Sequence, residues 1–407
     1  MPKSPLTKKT KRRPGRRRGH GSVKYWKHAA TEQLEPRALL TSVIGTTPTA
    51  ASQAPLATNI SATFDETING ASVSDQTFVV HGQQSGRLLS ANGDITSLAA
   101  AGTTVMLDPS ANFHPGELLQ TTVTSGIAST TPNNADPFVW EFRTAVTGGS
   151  GLFDNSDQTL SNQASRDVKL GDLDGDGDLD AFVTNYGQPN RVWFNDGAGN
   201  FTDSGQSLGN HNSVAVSLGD VDGDGDLDAF VANRSQAKRI WLNNGSGIFV
   251  DSGQSLSSHR STDVSLGDLD GDGDLDAFVT NNNQGKGVWR NNGSGTFTDS
   301  GQSLGTHHSQ AVSLGDVDGD GDLDAFVANT KNLSSPGEHN RLWLNNGSGV
   351  FTDSGQTLGS GYFKDVSLGD LDGDGDLDAF VANNSQANQV WLNNGSGTFA
   401  NSGQSLG

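Results

Sequence analysis

The chain has 407 residues, 53 of them glycine, no cysteine and a formal net charge of −20. The lack of cysteine excludes disulfides, thiolate zinc sites and cysteine nucleophiles, and no apolar stretch approaches the length that spans a bilayer. Twelve of the 26 Lys+Arg lie in the first 40 residues beside only two acids, Glu32 and Glu35. The rest of the chain is therefore strongly acidic and repels nucleic acid.

Residues 1–54 open with a basic run, Lys3 to Lys27, containing KKTKRR and GRRRGH. Such a run reads as a solvated, disordered segment leading into a linker. No apolar core of a secretory signal follows it, the longest run being Ala38-Leu39-Leu40. The segment EQLEPRALLTS (Glu32–Ser42) resembles the LEPR-xLL motif near the N-termini of large secreted and surface proteins of planctomycete-type bacteria. That resemblance implies export.

Between 55 and 146 come short alternating apolar runs at Ile60–Phe64, Phe78–Val80, Thr104–Leu107, Leu119–Val123 and Phe138–Phe142. Turn residues such as Asn69-Gly70 and His114-Pro115-Gly116 separate them. Period-2 runs at this spacing predict a β-sandwich with Phe64, Trp140 and Phe142 in its core. The order of FDETI, LDPSANFHPGE, TSGI and FVWEFRT resembles the bacterial Ig-like domains of surface proteins, which implies a spacer or adhesion module. Residues 147–150 read as a linker.

From 151 to 407 the chain repeats itself. A nonapeptide, DLDGDGDLD or DVDGDGDLD, begins at Asp172, Asp220, Asp268, Asp316 and Asp370, at intervals of 48, 48, 48 and 54 residues. Each unit carries four strand-like runs, for example Val264–Leu266, Leu275–Val279, Gly287–Arg290 and Thr296–Asp299, with an Asn-Asn-Gly-Ser-Gly turn before the last. A four-stranded unit of this period predicts an all-β fold built from propeller blades. Stacking would bury Trp193, Trp241, Trp289, Trp343 and Trp391 between neighbours. The count leaves a problem: six tail phenylalanines (Phe153, Phe201, Phe249, Phe297, Phe351, Phe399) accompany only five acidic loops. Either five blades close with a strand to spare, or the blades stop short of a larger ring.

In the first copy Asp172, Asp174, Asp176 and Asp180 hold loop positions 1, 3, 5 and 9, with Asp178 at 7 and Gly177 at the turn. The second copy places Asp220, Asp222, Asp224, Asp226 and Asp228 in the same five positions, and the third Asp268, Asp270, Asp272, Asp274 and Asp276. Asp316, Asp318, Asp320, Asp322 and Asp324 follow, then Asp370, Asp372, Asp374, Asp376 and Asp378. This spacing converges hard oxygens on one point and suits Ca²⁺, about five ions per chain, better than octahedral Mg²⁺. Carboxylates about 4 Å apart repel by roughly 4 kcal/mol at an effective dielectric of 20, so an empty loop is costly. An EF-hand is excluded by Val183, Val231, Val279, Val327 and Val381 at position 12 and by strand-like flanks.

The array resembles the FG-GAP/VCBS repeats of integrin α-chain propellers and of many bacterial surface proteins. The resemblance implies calcium at one rim and ligand recognition on the opposite face. Comparing the copies, the acidic loops and NNGSG turns barely change, whereas the loops at the other end differ. Variation confined to one end is expected both of a binding surface and of tolerated surface drift. Arg191, Arg234, Lys238, Arg239, Lys286 and Arg341 gather there and would favour an anionic ligand such as an acidic polysaccharide. His211, His259, His307 and His308 fall in variable turns with no partnered nucleophile, so no enzyme is expected. The reading is a non-catalytic calcium-binding protein, secreted or at the cell surface, that adheres to or binds a polysaccharide or surface protein. The alternative is a lectin-like or polysaccharide-cleaving propeller.

Overall fold

The computed structural model describes residues 40–131, 133–146, 148, 155–331 and 338–407. The basic run and most of the LEPR-xLL-like segment lie outside these residues, as does Phe153. Within them the chain is all-β, with a single 3-10 turn at Gly70–Ser72.

Nine strands form a sandwich: β1 (Val43–Thr47), β2 (Gln53–Ala54), β3 (Ile60–Phe64), β4 (Phe78–Gly82), β5 (Gly86–Arg87), β6 (Ile95–Ala101), β7 (Thr104–Pro109), β8 (Leu118–Val123) and β9 (Phe138–Thr144). One sheet runs β1-β3-β7-β6 and the other β2-β9-β8-β4-β5. Alternate residues of β3 (Ile60, Ala62, Phe64) point inward and meet Phe78, Trp140 and Phe142, all buried, as the period-2 pattern requires. The sandwich starts earlier than expected, since β1 and β2 belong to its two sheets. A linker ending at 54 is thereby corrected. β2 escapes sequence reading because it has only two residues and pairs in parallel with Arg143 and Thr144 at the other end of the domain.

The repeats form five antiparallel blades. In the third, strands Ser261–Gly267, Asp276–Asn281, Gly287–Arg290 and Thr298–Asp299 pair in sequence order. The second strand of blades 2, 3 and 4 (Asp228–Asn233, Asp276–Asn281, Asp324–Asn329) is buried at every residue, because another blade covers each face of its sheet. Blades 1 and 2 are further joined into one seven-stranded sheet by pairing of Tyr186, Gln188 and Asn190 with Asn212, His211 and Leu208.

Blades stack through a contact that repeats at each junction. A second-strand phenylalanine meets the tail phenylalanine of the next blade edge-on: Phe182 with Phe249, Phe230 with Phe297, Phe278 with Phe351, Phe326 with Phe399. Trp241, Trp289, Trp343 and Trp391 pack in the same four inter-blade clusters. A tail glutamine then bridges outward, as where Gln206 donates to Gly247 O and accepts from Phe249 N. At the first blade Gln158, from the segment preceding it, makes the same two bonds to Gly199 O and Phe201 N.

The ring is not closed. Leu371 of blade 5 is 49% exposed, whereas its counterparts Leu173, Val221, Leu269 and Val317 are 1% exposed. On blade 1, Val168 is likewise 51% exposed, against 0% for Val216. First strands of all five blades line an axial channel of about 530 Å³ whose floor includes His81, Gln120 and Glu141 of the sandwich. No helix among the described residues is long and apolar enough to cross a membrane.

Candidate metal loops and the sheet that covers them

Each acidic nonapeptide joins the first two strands of a blade, and the same bonds curl it in every copy. The position-1 aspartate accepts from the glycine N–H groups at positions 4 and 6, as Asp172 does from Gly175 (2.9 Å) and Gly177 (3.0 Å). The position-5 carboxylate accepts from the N–H at position 7, as Asp176 does from Asp178 (3.0 Å). The position-9 carboxylate ties the loop to its blade, Asp180 accepting from Leu173 N (3.1 Å) and Asn195 N (2.8 Å). Gly177, Gly225, Gly273, Gly321 and Gly375 all have φ between +90° and +100°, a conformation that a side chain disfavours.

These loops bring three carboxylates together in every blade, with one oxygen from each within 4.8 Å of the others. The groups are Asp172, Asp174 and Asp180; Asp220, Asp222 and Asp228; Asp268, Asp270 and Asp276; Asp316, Asp318 and Asp320; and Asp370, Asp372 and Asp374. Position 7 stands apart. Asp178, Asp226, Asp274, Asp322 and Asp376 lay their carboxylates on Gly197, Gly245, Gly293, Gly347 and Gly395 of the following turn, where a Cβ would overlap them. Their side chains thus fill the space that a Cβ would need in the turn, which explains the glycine of Asn-Asn-Gly.

The fit to a cation can be tested on the oxygens themselves. Asp222 Oδ1, Asp270 Oδ1 and Asp318 Oδ1, the position-3 oxygens of blades 2, 3 and 4, are buried without a hydrogen-bond partner among the described residues. A buried acceptor left in this state costs about 1–3 kcal/mol, and more when it is charged. Burial, reinforced by neighbouring carboxylates, raises Asp228 and Asp324 to about 8 and Asp276 to about 9. Asp180 of the first blade rises only to about 6. Crowded, partly unsatisfied oxygens of this kind fit a hard divalent cation.

The rim that carries these loops is covered by the sandwich. Gln84 O accepts from Asp172 N (2.9 Å), and Asn92 donates to Asp224 O (3.3 Å). His81 Nε2 lies 3.0 Å from Gly273 O, and Val139 N donates to Gly321 O (2.6 Å). The buried Arg87 guanidinium stands 3.8 Å from Asp274. Thr122 donates to Asp268 Oδ2 (2.8 Å), while Gln120 Oε1 accepts from Asp268 N (2.8 Å). The loop of blade 5 instead borders a cavity of about 480 Å³, on whose other side lie Ala51, Ser52 and Gln53.

At the opposite end the basic cluster is corrected. Lys238 and Lys286 are fully buried over the rings of Trp289 and Trp343, 5.5 and 5.6 Å from their centroids. Arg191, Arg239 and Arg341 donate to Gln206 O, Gln254 O and Gln356 O and lie 3.6–3.9 Å from Asp203, Asp251 and Asp353. Of the six, only Arg234 is exposed. The basic side chains serve packing within and between blades. The sequence reading also missed a partner for His308, whose Nδ1 lies 2.7 Å from Glu338 Oε1. Glu338 sits 30 residues away, at the end of the segment that lengthens the fourth interval, so local spacing could not reveal it.

Five blades with one curled acidic loop each define a class of repeat proteins by architecture alone. Residues 172–231, 220–279, 268–327, 316–381 and 370–407 match the FG-GAP-like repeat, and the chain belongs to that family. Residues 40–144 match the bacterial Ig-like domain. No curated protein matches the chain. Among solved structures, a lectin of Agrocybe aegerita described as recognising non-reducing terminal N-acetylglucosamine is 20% identical, with a TM-score of 0.43, over 82% of this chain and 90% of the lectin. A putative 6-phosphogluconolactonase from Bacteroides uniformis is 11% identical, with a TM-score of 0.47, over 81% of this chain and 97% of its own.

Proposed function

We propose that this chain is a non-enzymatic extracellular binding protein whose five acidic loops each hold one calcium ion. The observation that carries the metal reading is the set of buried, partnerless position-3 oxygens inside converging carboxylate triads. Calcium suits such a site because it accepts 6–8 oxygens in flexible geometry, whereas magnesium retains its waters. FG-GAP-like repeats beside a bacterial Ig-like domain support an extracellular setting, and the absence of disulfides leaves the ions as the staple of the blades. Because the sandwich covers the metal-loop rim, the partner is received at the other end, on the loops that vary between copies. Of the six basic side chains that would favour an anionic polysaccharide, five pack within or between blades.

Calcium titration and thermal melting of the full chain test this. About five ions should bind, at roughly 10⁻⁴–10⁻³ M, and a chelator should lower the melting temperature sharply. Each site filled at 100 times its Kd adds about 2.7 kcal/mol of stability. No binding at millimolar calcium would overturn the proposal.

A further inference from the structure

The five loops share one internal geometry but not one environment. Asp172, Asp220, Asp316 and Asp370 each take two side-chain hydrogen bonds, both from glycine N–H groups of their own loop. Asp268 takes the same two and a third from Thr122 Oγ1, while Gln120 Oε1 holds its backbone N–H. Gln120 and Thr122 are two apart on β8, so strand alternation puts both on the face turned to the blades. The turn of the same loop is clamped from the next strand of the sheet. His81 Nε2 meets Gly273 O, and Val79 of that strand, with Thr124 just past the end of β8, crowds the glycine so that a Cβ there would lie 2.9 and 3.3 Å from their methyl groups.

The loop of blade 5 has no such cover. Asp372 and Asp374 are exposed, and a cavity of about 480 Å³ lies between the loop and the sandwich. An aspartate gripped at both its carboxylate and its amide cannot swing aside to let an ion leave. One in an open loop can.

We propose that the Ig-like domain locks the cation site of blade 3: Thr122 and Gln120 act as positioning residues for Asp268, so that an ion there exchanges only when the sandwich lifts, whereas the ion of blade 5 exchanges freely. The proposal rests on the calcium reading of the loops. It divides five sites of near-identical sequence into locked and open classes through residues of another domain.

Calcium release from the loaded full chain, followed in a stopped-flow instrument after mixing with a fluorescent chelator, tests it. Release should be biphasic, with at least one ion in the slow phase. Losing a hydrogen bond to a charged group should speed that phase about tenfold or more in Thr122→Ala, and Gln120→Ala should act the same way. Thr122→Ser should restore the slow phase. None of the three should change the fast phase, and Asp372→Asn should remove one fast ion. The melting temperature of each variant in excess chelator, compared with the parent, separates a fold defect from a lost lock. Single-phase release from the parent chain, or a slow phase indifferent to Thr122→Ala in a folded variant, would overturn the proposal. A chain that binds no calcium would overturn the function reading as well, and shows itself as a missing amplitude.

Discussion

Asp263 stands on the wall of the axial channel, its carboxylate accepting from Val264 N (2.9 Å) and from Val312 N of the next blade (2.9 Å). Burial raises its pKa from 3.8 to about 7. Between those values the folded protein binds more protons than the unfolded chain, so this residue makes stability fall as pH rises from about 4 to about 7. Asp263→Asn keeps an acceptor for Val312 N and removes the titration. Its stability relative to the parent should climb through that window and level off above it, read by urea unfolding at stepped pH in constant calcium. The turn glycines allow a second comparison. Gly177 and Gly321 share the same positive φ, but a Cβ meets nothing within 4 Å at Gly177 and strikes the Phe138 ring at Gly321. Gly177→Ala should cost the backbone strain alone, about 1–3 kcal/mol. Gly321→Ala should cost more and should also loosen the sandwich, raising the rate of proteolytic cleavage between the domains. The need for glycine at position 6 was legible from the loop pattern. The role of position 7 was not, because its partner glycine lies across the blade in the following turn.

At the scale of the strand and its neighbour, two lysines in equivalent places have different surroundings. Lys238 Nζ donates to Ser257 O (3.3 Å) and Oγ (3.1 Å). Lys286 occupies the same position one blade on, but Gly305 stands where Ser257 does, and its buried ammonium has no hydrogen-bond acceptor among the described residues. Burial lowers both lysines to about 8. Lys286→Met should therefore stabilise the protein by about 1–3 kcal/mol, the cost of an unsatisfied buried donor, whereas Lys238→Met should destabilise it by removing the two bonds that its ammonium makes to Ser257. Denaturant midpoints in saturating calcium would show the opposite signs. Strand order and blade boundaries could be read directly, since a 48-residue period repeats the alternation and the turn each time. The fate of the basic residues could not. Lysine and arginine read as solvent-facing by type, and only the next blade's tryptophan or a tail carbonyl reveals that they are enclosed. The docking of the sandwich was equally illegible, for it uses backbone carbonyls and ordinary threonine and glutamine side chains scattered over β4, β8 and β9.

Across the whole molecule the four junctions repeat one set of contacts, an edge-on phenylalanine pair, a buried tryptophan and a glutamine bridge. The exposed Leu371 occupies the place that Leu269 fills at an internal junction. Leu269→Ala should cost about 2–5 kcal/mol, in the range for a buried leucine, and Leu371→Ala well under 1 kcal/mol, a contrast measurable by thermal melting. Junctions that are copies of one another make the array behave like a one-dimensional lattice, in which stability is a sum of unit and nearest-neighbour terms. Blade 5, with a neighbour on one side only and an uncovered acidic loop, is the weakest member of that lattice. Hydrogen exchange should therefore be graded along the chain rather than uniform, with amides of blade 5 opening first and those of blade 3, held by two neighbours and the sandwich, opening last. Thermal unfolding would then proceed as an unzipping from one edge, and its cooperativity would depend on how many junctions carry their ions.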